Sequence, residues 1–142
     1  MSLINQTATE LLTQLRDESL TPLDLLDALE QRIAEVDGVV NALPTRCFDR
    51  ARSHARELMK KPVQDRGLLC GLPVAIKDLE PVSGVLTTFG SQIFKDFVPT
   101  GSDCMVELLE ANGAIVYAKT NTPEFGAGAN TCLLYTSPSP RD

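Results

Sequence analysis

Apolar residues in this chain recur first at helical and then at strand spacing, and the change divides it. Thr7-Ala8-Thr9-Glu10 has the form of a capping box, and Leu11, Leu12 and Leu15 behind it predict a short helix ending near Asp17 to Ser19. Thr21 as N-cap and Pro22 at the first helical position open a longer one. Its apolar face is Leu25, Leu26, Leu29, Ile33 and Val36, its polar face Asp27, Glu30, Gln31 and Glu35, and Gly38 supplies a stop. Val39 to Leu43 reads as a short extended segment closed by Pro44. Phe48 to about Lys61, charged and alanine-rich, predicts a solvent-facing helix, with a loop from Pro62 to Gly67.

From Gly71 the pattern changes. Gly71-Leu72-Pro73-Val74-Ala75-Ile76 reads as a buried strand that delivers Lys77 and Asp78 to its exit. A segment dense in glycines and hydroxyls follows, with Pro81, Gly84 and Thr87-Thr88-Phe89-Gly90-Ser91. Such residues make turns by bonding local backbone, or place donors near a ligand. Ser102-Asp103 caps a helix carrying Met105, Val106, Leu108 and Leu109, and Gly113 ends it. Ala114 to Ala118 is a second buried strand, closed by Lys119-Thr120-Asn121. Strand, helix and strand form a βαβ unit, so the fold class is α/β with two parallel strands and a right-handed crossover. Lys77 and Lys119-Thr120-Asn121 then share the sheet edge at which open α/β folds bind ligands. A lysine there serves chemistry, or it reaches to water or pairs with the adjacent Asp78. Periodicity leaves both readings open.

Composition narrows the function classes. A chain of 142 residues with 43% apolar and 23% charged positions suits one soluble domain. Its net charge of −6 argues against nucleic acid as a partner. The N-terminus lacks a basic start and an apolar signal core, and no apolar run reaches membrane-spanning length. No membrane association and a cytoplasmic location are therefore expected. Cys47, Cys70, Cys104 and Cys132 form no C-x-x-C pair and His54 is the single histidine, so no metal site is expected. His54 sits in a charged helical run and reads as exposed, so acid–base chemistry needs another base. Gly126-x-Gly128 lacks the third glycine of a dinucleotide fingerprint and no Walker A sequence is present, so no cofactor is expected.

Four stretches stand in order: Gly71 to Asp78, Thr87 to Ser91, Glu110-Ala111-Asn112-Gly113-Ala114, and Lys119-Thr120-Asn121-Thr122-Pro123-Glu124-Phe125-Gly126. Together they resemble the amidase signature family across Gly67 to Thr131, and the preceding helices fit its N-terminal region more loosely. The resemblance implies N-terminal helices plus the first βαβ part of a truncated mixed-sheet fold, and hydrolysis of carboxamide C–N bonds by a Ser–cis-Ser–Lys triad. Lys77 matches the triad lysine, and Gly126 and Ala127 would lie near a small-molecule amide substrate, although small residues also serve close backbone packing. Thr122-Pro123-Glu124-Phe125 resembles the general amidases more than the glutaminase subunit of tRNA-dependent amidotransferases, which stays an alternative, as does a non-catalytic binding module. Glu80-Pro81 departs from the commoner family pattern of an apolar residue and an aspartate. A base must be neutral to act, and a lysine of pKa about 10.4 is neutral only about once in a thousand to three thousand at pH 7. Burial at the strand end would supply the shift, and an exposed Asp78 would oppose it.

The two serines of the triad have no counterpart here, since Ser83, Ser91 and Ser102 lie in the wrong context. By resemblance the chain is the N-terminal part, residues 1–131, of one amidase domain, expected to be inactive alone. Cys132 to Asp142 breaks the family pattern and looks like a sequencing-library adapter translated in frame, a non-native tail; a proline-rich extended tail is the alternative. Ser137 and Ser139 are then no catalytic candidates. Oligomeric state is not legible.

Overall fold

A computed structural model of the chain describes residues 3–128. Helices α1 (Ala8–Arg16), α2 (Pro22–Val40) and α3 (Phe48–Met59) form the N-terminal half, with the two-residue strand β1 (Thr45–Arg46) between the last two. The βαβ unit follows as β2 (Pro73–Lys77), α4 (Cys104–Ala111) and β3 (Ile115–Thr120).

The capping box expected at α1 forms, with Thr7 and Glu10 bonding reciprocally, and the Thr21 N-cap of α2 makes a further one with Asp24. Each fills amide donors that a helix start leaves without partners. Gly38 does not stop α2. The helix continues through Val39 and Val40, and Asn41 closes it in the left-handed conformation (φ 52°). The extended segment expected from Val39 is therefore helical at its start, and pairing begins only at Thr45. Asp37 explains this corner: its buried carboxylate accepts the amides of Ala42 and Leu43 and a 2.9 Å bond from Arg46.

The sheet has the order β1-β3-β2. β2 and β3 are parallel, as the βαβ reading requires, while β1 pairs antiparallel to β3. Adjacent residues of β3 serve opposite faces, the period-two signature of a strand. Ile115 packs with Leu26, Ile33, Phe48, Ala51, Ala55 and Leu58 from α2 and α3. Val116 packs with Ile76, Val82, Val85 and Val106 on the α4 side. α3 is thus not simply a solvent-facing helix: its alanines are buried because small side chains let it approach the sheet. His54 is half-buried rather than exposed, its Nδ1 3.6 Å from Glu110 Oε1 on α4.

Both strands are fed through close backbone packing. Leu69 N donates to Asn112 O, and Gly71 N to Gly113 O at 2.7 Å. Gly113 (φ +86°) stands so close to Arg66 that a Cβ would lie 1.9 Å from the carbonyl oxygen. This glycine does more than end α4; it lets two chain segments touch.

Candidate active site

Lys77 pairs with Thr120 and Ile76 with Lys119, so both lysines do reach one edge of the sheet. Their environments are opposite. Alternation turns Ile76 into the core and Lys77 outward, and Lys77 is exposed. The burial expected around it is not provided by the described residues. No hydrogen bond or ion pair among those residues involves its ammonium.

Lys119 is the buried lysine. It has no exposed surface, and its Nζ donates to Asp78 Oδ1 at 3.1 Å, the Glu80 carbonyl at 2.8 Å and Thr87 Oγ1 at 2.9 Å. Three donors meet three acceptors, which suits an ammonium. Burial pulls its pKa below the ordinary lysine value, and the Asp78 charge opposes that pull. Asp78 is fully buried too, against the expectation that it would be exposed. Its carboxylate also accepts from Thr88 Oγ1 at 2.5 Å and from the Thr88 amide. Asp78 therefore pairs with Lys119 and not with its neighbour Lys77. The reason is geometric: residues 77 and 78 leave the strand on opposite sides, and only Asp78 faces inward.

The hydroxyl-rich loop takes the turn reading. Thr87, Thr88 and Ser91 are buried and bonded to protein partners. The loop is fastened to the segment after β3 by Phe125 N to Phe89 O at 2.7 Å and by Ser91 Oγ to Glu124 Oε1 at 2.6 Å. Phe89 (φ 55°) and Phe125 (φ 51°) both adopt left-handed backbone, a strained state for an aromatic residue. Gly126 (φ +72°) sits against Leu79, where a Cβ would lie 2.6 Å from Cδ1. Leu79 is two residues past Lys77, so the Gly126 loop and the Lys77 turn are neighbours; Ala127 is exposed. Sequence reasoning sets Lys119 and Lys77 on the same edge but misses the pairing of Lys119 with Asp78. The signal available is a lysine directly continuing the apolar run Ala114 to Ala118.

Among the described residues, no group of three His, Cys, Asp or Glu side chains could hold a metal ion, and no helix is long and apolar enough to cross a membrane.

The family model described as Amidase matches residues 24–138. The chain belongs to the amidase family. That match spans both strands, the Lys77 turn and the Gly126 loop, and it runs into the segment from Cys132. A glutamyl-tRNA(Gln) amidotransferase subunit from Lysinibacillus sphaericus (strain C3-41) is 34% identical over 130 residues, covering 92% of this chain and 27% of that protein. The protein of the same name from Geobacillus thermodenitrificans (strain NG80-2) is 38% identical over 133 residues, with the same coverage. Among solved structures, 6-aminohexanoate cyclic dimer hydrolase superposes with a TM-score of 0.79 at 25% identity, over 94% of this chain and 27% of that one. The chain thus spans about a quarter of the length of the relatives it matches.

Proposed function

We propose that this chain carries the base of an amidase that hydrolyses small-molecule carboxamides, and that Lys77 is that base. One observation carries the reading. Of two lysines at the sheet edge, Lys119 is fully engaged by Asp78, Glu80 and Thr87, whereas Lys77 is exposed and has no partner among the described residues. An amine at the end of a strand, with no carboxylate partner among the described residues to hold it protonated, is open to serve as a base, and in this reading the burial that its neutral form requires comes from outside those residues.

In the family's triad chemistry, a neutral Lys77 amine accepts the proton of the attacking serine through the bridging serine. The serine oxygen bonds to the amide carbon, the C–N bond breaks, and the proton passes to the departing ammonia or amine. Water then cleaves the acyl-enzyme. Ser83, Ser91 and Ser102 are poor candidates for the serine roles. Ser83 Oγ donates to Thr100 O, Ser102 Oγ accepts from Ser83 N, and Ser91 bonds Glu124. The serines are assigned outside the described residues, and residues 1–142 alone are expected not to turn over. Gly126 and Ala127 form one wall of the amide pocket in this reading.

A second reading is favoured by the names of the relatives, several of which are glutamyl-tRNA(Gln) amidotransferase subunits at 34–38% identity. There the same chemistry would release ammonia for a partner protein. The test is ammonia or amine release by the full-length protein encoded in the source DNA, against simple amides and glutamine, with and without Lys77→Ala. Turnover of simple amides that Lys77→Ala abolishes supports the hydrolase. Turnover of glutamine alone supports the amidotransferase reading, and turnover undiminished in Lys77→Ala removes the base.

A further inference from the structure

We propose that the buried Asp78–Lys119 pair is a positioning device for Lys77, setting the base and the Gly126 loop in one frame. The proposal rests on the reading of Lys77 as the base.

Buried ion pairs are poor sources of stability, because desolvation of both ions offsets their attraction, and apolar residues of similar volume often serve as well. What this pair does offer is connection. All three acceptors of the Lys119 ammonium lie on the segment that leaves β2 directly after Lys77. A continuous path of bonds leads back to the base: Lys119 Nζ donates to the Glu80 carbonyl, and the Glu80 amide donates to the Lys77 carbonyl at 3.0 Å. On the other side, the Asp78 amide donates to Thr120 O at 3.0 Å, carrying the β2–β3 ladder one residue beyond Lys77. The backbone of Lys77 is thus held from both directions.

The same pair reaches the substrate wall. Asp78 binds the amide and hydroxyl of Thr88, and Thr88 Oγ1 accepts from Gly90 N. Phe89, between them, accepts the Phe125 amide, one residue before Gly126. Proton transfer needs its groups placed to within about half an ångström, and a displacement of about 1 Å can lower turnover a hundredfold. Strands, loop and turn could pack without a charge pair, but an apolar filler would take the Lys119 donor from the Glu80 carbonyl and the Asp78 acceptor from the Thr88 amide and hydroxyl, loosening the register of the turn.

The experiment uses the full-length enzyme with Lys119→Met, Asp78→Leu, the double variant Asp78→Leu/Lys119→Met, and Lys77→Ala beside them. Each single change strands a buried charge and lowers stability. The double change removes both charges, so its urea midpoint recovers above those of the single variants. Its KM stays within about threefold while kcat remains about a hundredfold down. A double variant that regains kcat along with stability overturns the proposal, because a purely structural pair behaves that way. If the double variant does not fold, Thr88 decides. Thr88→Val, which keeps shape and the amide bonds to Asp78 but loses the hydroxyl's bonds to Asp78 and from Gly90, should lower kcat about tenfold at unchanged KM, and Thr88→Ser should restore it. Full activity in Thr88→Val overturns the proposal equally. An active Lys77→Ala enzyme sinks the base assignment, whereas an inactive one beside a fully active double variant sinks only the positioning role.

Discussion

Gly113→Ala isolates the close contact through which both parallel strands are fed. Two effects act on the new methyl. At φ +86° an L-residue meets its own carbonyl, which costs about 1–2 kcal/mol. The methyl would also stand 1.9 Å from the Arg66 carbonyl oxygen, with a second backbone atom, Cys70 N, at 3.1 Å. Neither neighbour is a flexible side chain, so the backbone must retreat by about 1 Å or more, an overpacking of about 1–3 kcal/mol. Retreat also strains the Gly71 N to Gly113 O bond, worth about 1 kcal/mol. The sum is about 3–6 kcal/mol. Gly84→Ala is the internal control: its φ of +73° carries the same conformational cost, but nothing lies within 4 Å of its Cβ position. That variant should lose only about 1–2 kcal/mol. With a urea m-value of about 2 kcal/mol/M, the two midpoints should differ by about 1–2 M. Pulse proteolysis of the full-length protein across a urea series reads the midpoints directly. Equal losses in the two variants would refute the claim that Gly113 is required by contact rather than by conformation alone.

Two further outcomes follow from the geometry. Burial pushes the Glu110 carboxyl up, but hydrogen bonds and charge from His54 and Arg50 outweigh it and hold the pKa at about 2, below the usual 4.5. A depressed folded-state pKa stabilises above the unfolded value and is lost as pH falls, so Glu110→Gln should cost about 1–2 kcal/mol at pH 7. The gap between parent and variant in denaturant titrations should close from about pH 4.5 toward pH 2, and a gap independent of pH would count against the ion pair. Gly126→Ala should strain a left-handed residue by about 1–2 kcal/mol and push on Leu79, raising KM for small amides; an unchanged KM in steady-state kinetics would remove Gly126 from the pocket wall.

The helices and the βαβ unit are legible in the sequence because their signals are local. Thr7 with Glu10, Thr21 with Pro22, and the apolar runs on either side of α4 are each signals carried by residues close in sequence. What is illegible depends on distance. Asp78 is 41 positions from Lys119, and no spacing rule joins them, so adjacency assigns Asp78 to Lys77 instead. β1 is two residues long and shows no alternation, and its place is set by Asp37 gripping the chain at Ala42, Leu43 and Arg46. Gly38 misleads because a glycine within a helix is tolerated when a better stop, Asn41 in the left-handed region, follows. The motif locates Lys77 but not its exposure, since a strand's last residue can face either way.

Substitution of Lys77 by arginine tests the proposed chemistry most directly. Arginine preserves length, charge and any ion pair, but stays protonated at working pH and cannot take the serine's proton. In the full-length enzyme, amide turnover should be abolished in Lys77→Arg as thoroughly as in Lys77→Ala, while the urea midpoints of both stay close to the parent. Near-normal turnover in Lys77→Arg would contradict the assignment, leaving Lys77 a surface cation and the base to be sought elsewhere.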